Sequence, residues 1–260
     1  MRGRLPSGGA ARQEPRAAER RDSASLPDWL RARLLHVGPE VLILDKPGGL
    51  PVSARSGDSL ERWLPALRMG KRRDPHPAHR LDADTAGCLV LGRTAPMLAR
   101  INALFAERRV TKTYWAVLRG TLREEAGLVD APLRKVSSAA RGWRMEVDKA
   151  GDPARTAFRV LGRAPGLTLV ELHPETGRTH QLRVHCAHLG TPILGDAMYG
   201  GGPGTLHLLA RAIALPLDPV LEATAPVPAG MREAVMRCWP AAGGALPLPP
   251  HPKTDRGPGG

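Results

Sequence analysis

Aromatic rings are scarce in this chain. Phe, Trp and Tyr make up 3% of its 260 residues, with only two Tyr and two Phe. The core must therefore be built from Leu, Val, Ile and Ala, and a platform of many rings for stacking bases is excluded. The three cysteines, Cys88, Cys186 and Cys238, are odd in number, far apart and without a C-x-x-C pair. That excludes a disulfide frame or a zinc knuckle and reads as buried small apolar groups in a reducing compartment. No apolar run approaches the roughly 18 residues of a membrane span, and no apolar segment follows Arg2 and Arg4, so a cytoplasmic protein is expected. Neither G-x-G-x-x-G nor a Walker-type loop occurs, which leaves nucleotide cofactors without support.

Positive charge is what the chain has in excess. Lys and Arg outnumber Asp and Glu by 38 to 25, a net +13, which favours a polyanionic partner, nucleic acid before membrane. Residues 1–25 are Arg-, Ala- and Gly-rich without apolar periodicity and are expected to be a disordered basic arm. Residues 241–260, full of Pro and Gly, are expected to be a disordered tail. One folded unit over about 26–240 remains.

Within it VLILDK, Val41 to Lys46, reads as a strand ended by Pro47 and two glycines. Asp58 and Glu61 stand at capping-box spacing before a short helix through Trp63, Leu64 and Leu67. Cys88 to Leu91 reads as a buried strand. Thr94 and Pro96 open a helix carrying Met97, Ile101, Leu104 and Phe105 on one face. TKTYWAVLR, Thr111 to Arg119, reads as a strand, as do Thr156 to Leu161, Leu167 to His173 and Leu206 to Leu217. HQLRVHCAH reads as a helix stopping at Gly190, and Gly230 to Cys238 as a last helix. The pattern is α+β on a mixed, mostly antiparallel sheet.

Two segments concentrate reactive groups. HRLDADTAG, His79 to Gly87, puts an imidazole, a guanidinium and a carboxylate within four residues before a buried strand; an aspartate there also suits an Asx turn. TGRTHQLRVHCAHLGTPILGDAMYG, Thr176 to Gly200, sets Arg178, His180, Arg183 and His185 at a helix start, where free amides suit a phosphate.

HRLDADTAG resembles the active-site motif of the RluA-type RNA pseudouridine synthases, with Ala86 where Ser is commoner. The later motif, the LDKPGGLPV segment ending at Val52 and TKTYWAVLRG resemble that family's other motifs in the right order, over about residues 40–217. The resemblance implies the pseudouridine synthase fold, a sheet spanning two halves with flanking helices and a central cleft. It implies an isomerase, without metal or other cofactor, acting on uridines of a ribosomal or transfer RNA stem-loop, with monomer as the default. Asp82 would be the catalytic carboxylate, acting by attack on the sugar or by proton abstraction from it. Arg183 would compensate its charge, and Tyr114 would lie against the uracil and serve a later proton transfer. Arg80 would fill the space left by the flipped base, and Lys46, Arg178 and His180 would contact RNA. Basic clusters such as Arg108 with Arg109 would bind phosphate.

Two rivals are weighed. His180, His185 and His188 share one helix, but their spacing is not H-E-x-x-H and no carboxylate completes a metal set. A non-catalytic RNA-binding protein of the same fold would be marked by a lost aspartate, and Asp82 is present.

Overall fold

The computed structural model describes residues 26–54, 57–138 and 142–239; the basic arm and Pro/Gly tail expected from the sequence lie outside them. A short helix α1 (Asp28–Arg31) leads into β1 (Leu34–Val37), β2 (Val41–Lys46), a 3-10 helix (Leu60–Arg68), β3 (His76–Pro77), β4 (Ala86–Gly92) and helix α2 (Ala95–Ala106). Strands β5 (Thr111–Arg119), β6 (Ala126–Asp130), β7 (Leu133–Ser138), β8 (Gly142–Val147), β9 (Arg155–Ala164) and β10 (Leu167–Pro174) follow. Helix α3 (Gln181–His188), β11 (Leu208–Leu215), β12 (Leu221–Thr224) and α4 (Ala229–Cys238) complete the described chain.

Ten strands form one sheet in the order β1-β2-β4-β11-β5-β10-β9-β6, with β12 beside β11 and β3 beside β4, while β7 and β8 make a separate hairpin. Only β4 and β11 run parallel; the other pairs are antiparallel, as the α+β reading requires.

Strands β2, β4 and β11 are buried along their whole length, which explains their unbroken apolar runs: both faces of the sheet are covered. On one face Ile43, Val90, Trp115 and Leu169 pack with Met97, Ile101 and Leu104 of α2 and Met231 and Val235 of α4 in a single core. The opposite face carries two cores. Leu42, Leu44, Leu89 and Leu91 meet the 3-10 helix in one, and Ala116, Leu118, Val170 and Leu172 meet Leu182 and Cys186 of α3 in the other. Tyr114 packs against both. It stands at the seam between the two halves.

The expected capping box before the first helix does not form. Ser59 occupies the cap without a side-chain bond, Pro65 lies inside the segment, and Asp58 pairs instead with Arg62 at 3.7 Å. A proline in mid-segment cannot donate to the i−4 carbonyl, so the tighter 3-10 geometry results. Thr94 does cap α2, accepting from the Met97 N–H at 3.3 Å.

Candidate active site

The HRLDADTAG segment is a loop fastened at both ends. His79 Nε2 accepts the Val90 N–H at 3.0 Å and its ring lies 4.7 Å from that of Phe105; burial pushes the imidazole down to about 4, so it is neutral at physiological pH. At the other end Gly87 has a φ of +109°, and a Cβ there would collide with the Ala210 carbonyl. Only glycine lets β4 approach β11 this closely. Between the fastenings the Thr85 N–H donates to the Asp82 carbonyl at 3.1 Å, closing a turn. The Asp82 carboxylate meets no hydrogen-bond donor among the described residues, so the Asx-turn role is not taken up.

Asp82 lines two adjoining cavities, one of about 100 Å³ beside Arg183, here called the inner, and one of about 600 Å³ that reaches Phe105 and Arg108, here called the outer. Arg80, Lys112, Tyr114, Pro174, Thr176, Gly177 and Arg178 border both. Lys112 and Tyr114 are two apart on β5 and so share a face. Burial first, and then the Asp82 charge, raise the Tyr114 phenol above its ordinary range, which keeps it protonated.

Arg183 and His180 border the inner cavity. Arg183 makes no hydrogen bond to Asp82 among the described residues. Its guanidinium is held by Asp196 through two bonds, Nε to Oδ2 at 2.7 Å and Nη2 to Oδ1 at 2.8 Å, and Asp82 acts on it only as a nearby charge. The third nitrogen, Nη1, donates to His180 Nε2 at 3.2 Å. That leaves the proton on Nδ1, which donates to the Tyr199 hydroxyl at 2.9 Å, itself accepting the Met145 N–H at 3.1 Å. Burial lowers His180 below the usual histidine range, in keeping with a neutral ring. Thus Asp196, Arg183, His180, Tyr199 and β8 form one chain of contacts behind the carboxylate.

Arg80 is exposed at the cavity rim, and Arg178 is tied back by Nε to the Pro153 carbonyl at 3.1 Å. Lys46 departs from expectation: it is fully buried and its ammonium donates to the Pro47, Leu50 and Ala83 carbonyls at 2.8 Å each. No face is left for phosphate. It fastens the Pro47–Leu50 turn to the loop beside Asp82. His185 spends its ring nitrogens on the Thr156 hydroxyl and the Ala131 carbonyl, at 2.9 and 3.0 Å, away from His180.

Comparison with known proteins identifies the family. Residues 40–188 match the family model described as RNA pseudouridylate synthase. The chain belongs to that family. An uncharacterised RNA pseudouridine synthase of Zymomonas mobilis is 48% identical over 66% of this chain and 80% of its own length. The ribosomal large subunit pseudouridine synthase C of Vibrio vulnificus is 34% identical over 76% of this chain and 64% of its own. The solved structure of human RNA pseudouridylate synthase domain containing 4 superposes with a TM-score of 0.70 at 28% identity, covering 80% of this chain and 94% of that one. The relatives' names place the chain in the RluA branch of the family, whose members are isomerases converting uridine in RNA to pseudouridine.

For such a synthase the residues that sequence reasoning passed over are Lys112 and Asp196. Strand alternation from Tyr114 would have found Lys112. Nothing local marks Asp196 as the partner of a guanidinium thirteen residues earlier.

Proposed function

We propose that Asp82 is the catalytic carboxylate of an RNA pseudouridine synthase that receives a flipped uridine in the inner cavity. The observation carrying this reading is a carboxylate that meets no hydrogen-bond donor among the described residues, on a loop fastened at both ends, facing the seam between the two half-cores. The reaction breaks the bond between N1 of uracil and C1′ of the ribose and joins C5 of the base to C1′; the C5 proton is lost and N1 gains one, so nothing is consumed. A free carboxylate serves such a step by attacking the sugar or by taking a proton from it.

Tyr114 enters as a neutral phenol, suited to lying against the uracil and relaying a proton rather than acting as a phenolate. Arg183, held rigidly by Asp196, supplies a fixed positive charge at the wall of the inner cavity. Arg80, exposed and planar, is suited to filling the place of the extruded base, which offsets part of the unstacking cost of a few kcal/mol. Arg178 and His180 line the path of the RNA strand. The proposed substrate is a stem-loop of ribosomal or transfer RNA, handled by a monomer in the cytoplasm, where three free, buried cysteines remain reduced.

The test is to delete the gene in its host, map pseudouridines across ribosomal and transfer RNA, and complement with wild type or Asp82→Ala. Sites that vanish and return only with wild type support the assignment; full restoration by Asp82→Ala refutes it.

A further inference from the structure

The outer cavity is larger than a single pyrimidine needs; about 600 Å³ falls within the roughly 300–1,000 Å³ of pockets that hold drug-sized ligands. Its charged lining is Arg80, Arg108, Lys112, Arg178, Asp82 and Glu175. These charges are unevenly spoken for. Glu175 pairs with Arg155 at 3.2 Å, and Arg178 faces Asp152 at 3.9 Å. Among the described residues no carboxylate pairs with Arg108 or Lys112.

Among the described residues the Lys112 ammonium makes one hydrogen bond, to the Thr176 carbonyl at 3.5 Å, the outer limit of a hydrogen bond. Its ammonium is pushed below the ordinary lysine range by burial and by repulsion from Arg108. Holding two cations close together in a partly dry place is unfavourable unless an anion joins them.

A second, independent sign comes from the backbone. Arg108 ends α2 with a φ of 58°, its N–H donating to the Phe105 carbonyl at 3.1 Å while the Arg109 N–H donates to Leu104 at 2.9 Å. This left-handed stop is the position where glycine costs least and any other residue adds about 1 kcal/mol or more of strain. Arginine here is locally unfavourable, and what it brings is a guanidinium at the cavity wall. Its neighbour Arg109 is already paired with Glu107 at 3.3 Å.

We propose that Arg108 and Lys112 form a phosphate subsite in the outer cavity, binding the backbone phosphodiester of a nucleotide adjacent to the uridine held beside Asp82. The subsite rests on the reading of the inner cavity as the uridine site. It fixes the direction in which the strand leaves that cavity, past Phe105 and the end of α2.

The left-handed backbone at Arg108 supplies an unusually clean test, because Arg108→Gly removes the charge while suiting the fold. A fluorescein-labelled twelve-residue oligouridylate is titrated into the full chain by anisotropy over a series of salt concentrations, with melting temperature measured alongside. Arg108→Gly is expected to melt at or above the wild-type temperature, to bind more weakly, and to lower the slope of log affinity against log salt by about 0.7, one single-strand phosphate contact. Lys112→Met is expected to do the same, Arg108→Lys to retain most of the slope, and Arg109→Gly to leave it unchanged. Unchanged affinity and slope in Arg108→Gly, or weaker binding with the slope intact, overturns the proposal. Failure of the Asp82 assignment would appear separately, as pseudouridine formation persisting in Asp82→Ala whatever the slopes.

Discussion

Replacing Asp196 by asparagine would remove one negative charge, and little volume, from behind the active site. Arg183 and Asp196 are 8% and 0% exposed, and their two bonds are among the shorter side-chain contacts in the molecule. Asparagine keeps one acceptor oxygen but leaves a guanidinium buried without its counter-charge. Removing one partner of a buried pair costs about 3–5 kcal/mol, and the retained acceptor points to the lower end. At about 2–4 °C per kcal/mol for a domain of this size, the melting temperature should fall by roughly 6–12 °C. Activity should fall by at least about tenfold, or ~1.4 kcal/mol, because Arg183 would no longer be held in place. Removing both charges with Arg183→Met and Asp196→Leu should restore most of the stability, since an apolar pair of similar volume replaces a buried ion pair without loss, yet leave the enzyme inactive. Circular dichroism melts and single-turnover pseudouridine formation would read both quantities. An Asp196→Asn protein melting within a degree or so of wild type, or a double variant no more stable than the single, would refute this account of how Arg183 is held.

Three further outcomes follow from other contacts. His79 is held near 4 in the fold against an ordinary 6.5, so the unfolded chain binds the proton first; stability is complete above about pH 6.5 and is lost as pH falls toward 4, at up to ~1.4 kcal/mol per pH unit. Urea titrations of wild type and His79→Gln across that window should diverge, and parallel curves would contradict the assignment. Gly87→Ala places a methyl against the Ala210 carbonyl in the central strand pair, an overpacking of about 1–3 kcal/mol that chemical denaturation would register. Lys46→Met takes the ammonium donor from the Pro47 and Leu50 carbonyls, while the Ala83 carbonyl keeps the Gly49 N–H at 3.0 Å, and should destabilise by about 2 kcal/mol or more; if RNA affinity falls while stability holds, Lys46 is a phosphate ligand after all.

Where an element's stability is local, its sequence declared it. Strand β2 is an apolar run between polar ends, α2 has Thr94 as cap and a four-residue stripe, and β5 is rich in β-branched and aromatic residues; all three were readable. The β7–β8 hairpin was not read: LRKVSS is polar at four of its six positions, although GWRMEV alternates apolar and polar residues as a half-buried strand does. What holds it is Leu133 and Met145 packing on Val184 of α3, a contact between residues about forty to fifty positions apart. The site divides in the same way. Motif resemblance located Asp82, Tyr114 and Arg183 together, but it also drew Lys46 toward RNA, because a lysine beside a turn ordinarily faces solvent. Its three carbonyl acceptors exist only once the Pro47–Leu50 turn and the Asp82 loop have come together.

The position of β11 has a consequence for how the enzyme comes into being. Of the described strands, the one occupying the middle of the sheet comes last but one in sequence, and it must enter between β4 and β5, whose residues precede it by about a hundred positions. Until Leu208 to Leu215 has left the ribosome, the two flanking blocks have no shared partner, and the loop bearing Asp82 lacks the neighbour against which Gly87 packs. The N-terminal strands can pair early, since they are close in sequence. Catalytic competence is therefore expected to arrive in one late step, so that a growing chain stalled before residue 208 would carry every proposed catalytic residue and still have no enzyme.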